Sequence, residues 1–277
     1  MTAILRCGTH VLELSRPRIM GILNVTPNSF SDGGYFLDRE RALDHARGMM
    51  SDGADIIDIG GESTRPGAEP VTEREELARV IPLVAALAAD GVPVSVDTRK
   101  PAVMREAIAA GAAMVNDVCA LTAPGAVEAV ARSAVAVCLM HMRGEPQTMQ
   151  QAPAYRDVVA EVHEFLLARA ASCEAAGIES DRIVLDPGFG FGKTLAHNLD
   201  LLRAMPKLVA AGYPVLAGLS RKASLGQIAG RPVGERMPAS IAAALAAVAR
   251  GATLLRVHDV RETGDALRVW LAVDAIG

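Results

Sequence analysis

The sequence predicts an α/β protein folded as a (β/α)8 TIM barrel with a short N-terminal hairpin. Eight short apolar runs bounded by Gly, Pro or Asp alternate with eight longer segments whose apolar residues recur every three or four positions. Helix-to-strand junctions carry glycines, as at Gly53, Gly91, Gly111, Gly212 and Gly251, where the left-handed conformation that ends a helix costs little. The 277 residues hold eight units of roughly 30–35 residues, close to the ~250 such a barrel uses. A doubly wound open sheet is the structural competitor, but it usually has fewer strands.

In chain order, residues 4–14 read as a hairpin covering the barrel floor. Strands are expected at 19–24, 55–59, 93–97, 113–117, 135–141, 183–186, 215–219 and 253–258. Helices are expected at 39–51, 73–89, 102–110, 126–132, 155–176, 198–211, 238–250 and 261–273. No linker, low-complexity stretch or composition shift marks a second domain, so residues 1–277 are expected to form one. Hydrophobic residues make up 51% of the chain but aromatics only 3%, which calls for a core built from aliphatic side chains.

Composition also excludes function classes. The net charge of −4 comes from scattered residues, leaving no basic footprint for a nucleic acid. The longest apolar runs, such as residues 241–249, fall far below the ~18 residues of a membrane span. Cys7, Cys119, Cys138 and Cys173 form no metal-ligand spacing and are expected to be reduced thiols in a cytoplasmic protein. Arg6, His10 and Glu13 stand where an export signal would be apolar, so no export is expected.

A barrel places chemistry at the C-terminal ends of its strands. Those ends carry Asn24, Asp58, Asp97, Asn116, His141, Asp186, Ser220 with Lys222, and Arg256 with His258. Helix capping explains one short polar side chain per helix and has no use for Lys222, Arg256 or His258. Asp97, Asn116 and Asp186 suit the N–H edge of a planar, nitrogen-rich heterocycle. Lys222, Arg256, His258 and Asn24 suit an anion. His141 is open between a site role and barrel-end packing. Phe30, Phe189 and Phe191 are expected in rim loops as a clamp on a flat substrate, with Tyr35 and Phe36 also in the first loop. Residues 188–194 approach a P-loop but miss its spacing, and no nucleophile elbow or zinc-protease motif occurs.

The run from Ile19 to Gly34 (IMGILNVTPNSFSDGG) and that from Asp58 to Gly67 (DIGGESTRPG) resemble the two signatures of the dihydropteroate synthase family. The resemblance continues through Ser95–Thr98, Asn116–Asp117, Met140–Gly144, Asp186–Lys193, Ser220–Lys222 and Arg256–Asp259, with Asn28 standing where the family more often has Asp. It implies a transferase of folate biosynthesis, joining para-aminobenzoate to 6-hydroxymethyl-7,8-dihydropterin pyrophosphate to give 7,8-dihydropteroate and pyrophosphate, with sulfonamides competing for the aminobenzoate site. By position it assigns Asp97, Asn116, Met140, Asp186, Gly218 and Lys222 to the pterin. Asn24, Thr64, Arg256 and His258 fall to the pyrophosphate, with Mg²⁺ on Asn24. Phe30, Thr64, Arg65, Pro66, Phe191, Ser220 and Lys222 fall to the aminobenzoate. Catalysis is then expected of Asp97, Lys222, Arg256 and His258, in a homodimer. A folate-dependent corrinoid methyltransferase would have no use for the pyrophosphate set. A catalytically silent pterin-binding paralogue is the other competitor.

Overall fold

The computed structural model describes residues 4–25, 34–63, 67–145 and 147–274, and the side chains of these except 34–38 and 274. Two short strands, β1 (Ile4–Cys7) and β2 (His10–Glu13), pair as an antiparallel hairpin, turning through Gly8 at φ +60°. Eight parallel strands follow: β3 (Arg18–Asn24), β4 (Ile56–Gly60), β5 (Val94–Asp97), β6 (Met114–Asp117), β7 (Ala136–Met140), β8 (Ile183–Asp186), β9 (Leu216–Ala217) and β10 (Leu254–Val257). Their spatial order is β8-β7-β6-β5-β4-β3-β10-β9, and a parallel bridge between Leu185 and Val215 closes the ring. The predicted TIM barrel is thus the observed fold.

Around it lie α1 (Gly34–Ser51), α2 (Glu73–Ala89), α3 (Pro101–Ala109), α4 (Ala126–Ala131), α5 (Val158–Ala175), α6 (Leu195–Val209), α7 (Ala223–Ala229), α8 (Met237–Val248) and α9 (Val260–Asp274). Caps set several helix starts: Thr72 and Glu75 form a capping box on α2, Asp157 caps α5, and Thr194 with His197 caps α6. Two differences from the sequence expectation stand out. Helix α1 begins at Gly34, so Tyr35 and Phe36 lie in its first turn instead of a loop. Helix α7 was not expected at all, being seven residues long with Gly226 in its middle and too short to show an apolar period.

Because side chains alternate along a strand, each strand feeds two cores. Ile57, Ile59, Val94, Val96, Val115, Val137 and Leu255 face the helices and pack with Val80, Leu83 and Leu87 of α2 and their neighbours. The intervening residues Met20, Ile56, Met114, Ala136, Val184, Leu216 and Leu254 point down the axis, where they meet Leu5, Cys7, Leu12 and Leu14 of the hairpin. The hairpin therefore plugs the N-terminal mouth, as expected, and each buried leucine contributes roughly 2 kcal/mol.

Candidate active site

Following the inward-facing phase toward the strand C-termini changes its character from apolar to ionisable. Asp58 lies two residues beyond Ile56, Asp97 beyond Ser95, Asn116 beyond Met114, Asp186 beyond Val184, and Arg256 with His258 beyond Leu254. Strand register lines up Asn24, Gly60, Asp97 and Asn116 as successive cross-strand partners, and Met140 opposite Asp186. Pleat and register thus gather into one ring the residues that the sequence assigned separately.

Arg256 sits at the centre of that ring. Its Nε donates to Asp58 Oδ2 at 2.6 Å and its Nη2 to Asp97 Oδ2 at 2.7 Å. Burial works against the guanidinium charge, but the Asp58 and Asp97 carboxylates more than offset it and hold Arg256 above its ordinary pKa. Asp97 is pushed up to about 7: burial dominates over the opposing pull of Arg256, and the charges of Asp58, Glu76 and Asp117 add to the rise.

Asp58 is wholly buried, and its Oδ2 also accepts from Asn116 Nδ2 at 3.2 Å. That bond fixes the Asn116 amide, since the flipped orientation would set two acceptors against each other. Asn116 Oδ1 is left as a buried acceptor without a protein partner. Asp186 is held by the Gly188 N–H, which donates to Oδ1 at 2.7 Å, and burial raises its pKa. A side chain at Gly218 would lie 3.8 Å from Asp186 Oδ2, so the glycine leaves that oxygen open. Gly60 does the same between Asn24 Oδ1 and Asp97 Oδ2, each 3.7 Å from where its Cβ would stand.

The cationic side is built from the ends of β9 and β10. Lys222 stands at the N-terminal boundary of α7 without a side-chain cap bond, with Nζ 4.0 Å from the centre of the Phe191 ring. Arg221 just before it holds a left-handed φ of +57°, a strained state kept by Ser240 Oγ on its N–H, Arg236 on its carbonyl and an ion pair with Asp259. Ser220 Oγ accepts the His258 N–H at 3.2 Å and lies 3.0 Å from His258 Nδ1. With the Ser220 hydroxyl donating to Nδ1, the neutral imidazole carries its proton on Nε2, a donor suited to an anion.

The loop between β8 and α6 turns through left-handed Gly188, Gly190 and Gly192. A Cβ on Gly188 would overlap the His141 carbonyl oxygen, and one on Gly192 the Arg143 carbonyl, so this loop is laid directly on the end of β7. His141 is packed there, edge-on to Phe165 at 5.1 Å between ring centres, and burial with the nearby Lys193 charge pulls it down to about 3. His141 is thus buried and packed at the barrel end. Burial likewise pulls Lys193 down to about 7.

The clamp expectation needs correcting: Phe189 is 1% exposed and belongs to the core facing the helices, while Phe191 is half-buried at the rim. Phe30, Thr64, Arg65 and Pro66, with Asn28, lie outside the described residues. Sequence reasoning left Asp58 without a role. Its signal was phase, because Asp58 lies two residues from Ile56 and Gly60, on the face of β4 that turns inward. Among the described residues, no group of three or more His, Cys, Asp and Glu is placed to hold a metal ion. No helix among them is long and apolar enough to cross a membrane.

Such a rim on a closed parallel barrel defines a pterin-binding enzyme: the family described as "Pterin binding enzyme" matches residues 20–258, from the first barrel strand past the last. A dihydropteroate synthase of Neisseria meningitidis serogroup B is 53% identical over 275 residues, covering 97% of this chain and 96% of that protein. The structure of Xanthomonas albilineans dihydropteroate synthase with 4-aminobenzoic acid superposes with a TM-score of 0.94 at 54% identity, covering all of both chains. Another structure of the X. albilineans enzyme, in complex with 7,8-dihydropteroate, gives 0.90 at 52% identity, covering 99% of this chain and 100% of that one. The chain belongs to the dihydropteroate synthase family.

Proposed function

We propose that the chain condenses 6-hydroxymethyl-7,8-dihydropterin pyrophosphate with para-aminobenzoate, forming 7,8-dihydropteroate and pyrophosphate in folate biosynthesis. The observation that carries this reading is the Asp58 carboxylate, which binds Asn116 and Arg256 at once. It couples a grip on a heterocycle to a grip on an anion, as a pterin bearing a pyrophosphate requires. A corrinoid methyltransferase would leave Arg256 and His258 idle.

In the reaction, the bond between the exocyclic methylene carbon and the pyrophosphate oxygen breaks, and the electron pair leaves with pyrophosphate. The arylamine nitrogen forms the new C–N bond and loses a proton. Asn116 Oδ1 and Asp186 accept from the pterin N–H edge, Met140 lines its slot and Gly218 leaves room for it. Arg256 and the His258 Nε2–H donate to the departing pyrophosphate, and ionised Asp97 stabilises the methylene cation. Lys222 and Phe191 border the arylamine with Ser220, and Phe30, Thr64, Arg65 and Pro66 complete that side. No nucleophilic serine or cysteine is needed, because the arylamine supplies the nucleophile.

The Asn24 and Asp97 oxygens over Gly60 are hard donors and fit Mg²⁺, an ion commonly held by one or two protein oxygens, waters and substrate phosphates. Asn24 would hold it, and bound Mg²⁺ supplies charge stabilisation to the leaving pyrophosphate.

We place the protein in the cytoplasm, where its four free thiols persist, and take residues 1–277 as one pterin-binding domain. We also propose a homodimer. Ala243, Ala244 and Ala247 of α8 are buried in the chain's own core, while Ile228, Val233 and Met237, from the end of α7 to the start of α8, are exposed and offer an apolar surface for that contact. Sedimentation is expected to give the mass of two chains, and a single-chain mass removes the dimer.

Pyrophosphate release is expected when the purified protein meets both substrates and Mg²⁺, and none from folded protein rejects the enzyme in favour of a silent paralogue. Lys222→Ala and Asp186→Ala are expected to stay folded and lose roughly 100-fold or more in kcat/KM. Unfolding would make these residues structural.

A further inference from the structure

Lys193 is a buried cation that the chemistry above leaves unused. It is 3% exposed, and Nζ reaches His141 Nδ1 at 2.9 Å, the His141 carbonyl at 3.2 Å and the Phe191 carbonyl at 3.0 Å. None of these partners is a carboxylate; Asp186 supports the charge from beyond hydrogen-bond reach while burial and Lys222 oppose it, so the ammonium is costly where packing would be served by an apolar side chain. Both ends of the link touch the site. His141 directly follows Met140 at the end of β7, and Phe191 carries the ring on which the Lys222 ammonium rests.

We propose that Lys193 is a positioning residue for the arylamine side of the site: it ties the Phe191 carbonyl to the end of β7 and so fixes the Phe191 ring and the Lys222 ammonium above it. This rests on the proposed function. The pterin side is held chiefly by other means, Asp186 by the ladder that pairs it with Met140, by the Gly188 N–H and by the Lys222 charge, with the Lys193 charge a smaller contribution. The loop has separate outer ties as well: Gln150 donates to the Gly190 carbonyl, the Tyr155 hydroxyl to the Gly192 carbonyl at 2.9 Å, and the Gly190 N–H to Asn198 Oδ1 at 2.7 Å. Loss of the Lys193 link should therefore loosen Phe191 without unfolding the loop or disturbing the pterin grip.

Lys193→Met keeps the aliphatic stem and removes the donors. Its KM for aminobenzoate is expected to rise about tenfold, with kcat and the KM for the pterin substrate within about twofold of the parent. A merely structural lysine would lower the active fraction, and with it kcat, while moving neither KM. Unchanged KM values, or equal rises in both, overturn the proposal. Lys193→Gln, which retains two N–H donors at shorter reach, is measured where the methionine variant does not fold, and failure of both to fold also overturns it. Amide hydrogen exchange needs no turnover: Phe191 N–H, which donates to the Gly188 carbonyl at 3.1 Å, should exchange faster in the variant while Gly190 is unchanged. In a protein that releases no pyrophosphate, faster exchange at Phe191 upholds the link and rejects only the functional reading. Unchanged exchange there rejects both.

Discussion

Arg256→Ala is expected to lose turnover and to cost about 3 kcal/mol of stability or more, because it strands two buried carboxylates. The family resemblance, which assigns Arg256 to the pyrophosphate, by itself predicts mainly a weaker hold on that substrate. The ion pairs with Asp58 and Asp97 show that the same guanidinium also holds the barrel interior together. The pH dependence tests this account. A buried carboxyl whose folded pKa lies above its unfolded value costs nothing below the unfolded pKa, and its full cost is felt above the folded one. Asp97 already stands at about 7 with Arg256 present, and loss of the cation raises it further. The melting-temperature deficit of the variant should therefore be largest near pH 8 and shrink toward pH 5. Arg256→Lys should restore only part of it, since one ammonium cannot repeat two forked contacts. A deficit that does not change with pH would refute the role given to Asp97 in it.

Asp97→Asn should leave the chain folded, since the amide still accepts from Arg256, but lower kcat by about 10²–10³-fold through loss of the charge facing the methylene cation. In the parent, Asp97 must be ionised to act. Log kcat/KM for the pterin substrate is therefore expected to fall below pH 7 and to level off above it, with the inflection near 7. The variant should lack that inflection. A parent profile flat between pH 5.5 and 8, or a variant that keeps its rate, would remove Asp97 from the chemistry.

Much of this was legible because a barrel repeats one rule. Strand phase alone set Asp97, Asn116, Asp186 and Arg256 on the inward face at the C-terminal rim, and the fold followed from the same alternation. What escaped the sequence depends on distances across the barrel. Nothing local to Asp58 says that it meets Arg256, 198 positions away, and Asn116, 58 positions away. Phe189 and Phe191 look alike in a glycine-rich loop, yet one turns into the helix-side core and the other to the rim, a choice made by left-handed glycines seated on the neighbouring strand end. Helix α7 escaped because seven residues carry no readable period.

The hairpin that stoppers the barrel has a chemical consequence as well as a structural one. With Leu5, Cys7, Leu12 and Leu14 packed against the lower strand residues, the barrel is stoppered at its N-terminal end, and among the described residues the ionisable ring lies at the opposite, C-terminal end. In the reaction proposed above, the arylamine enters at that end. Its arrival is then expected to displace water from the electrophilic carbon, so that hydrolysis of the pterin substrate should be slower with the arylamine bound than without it.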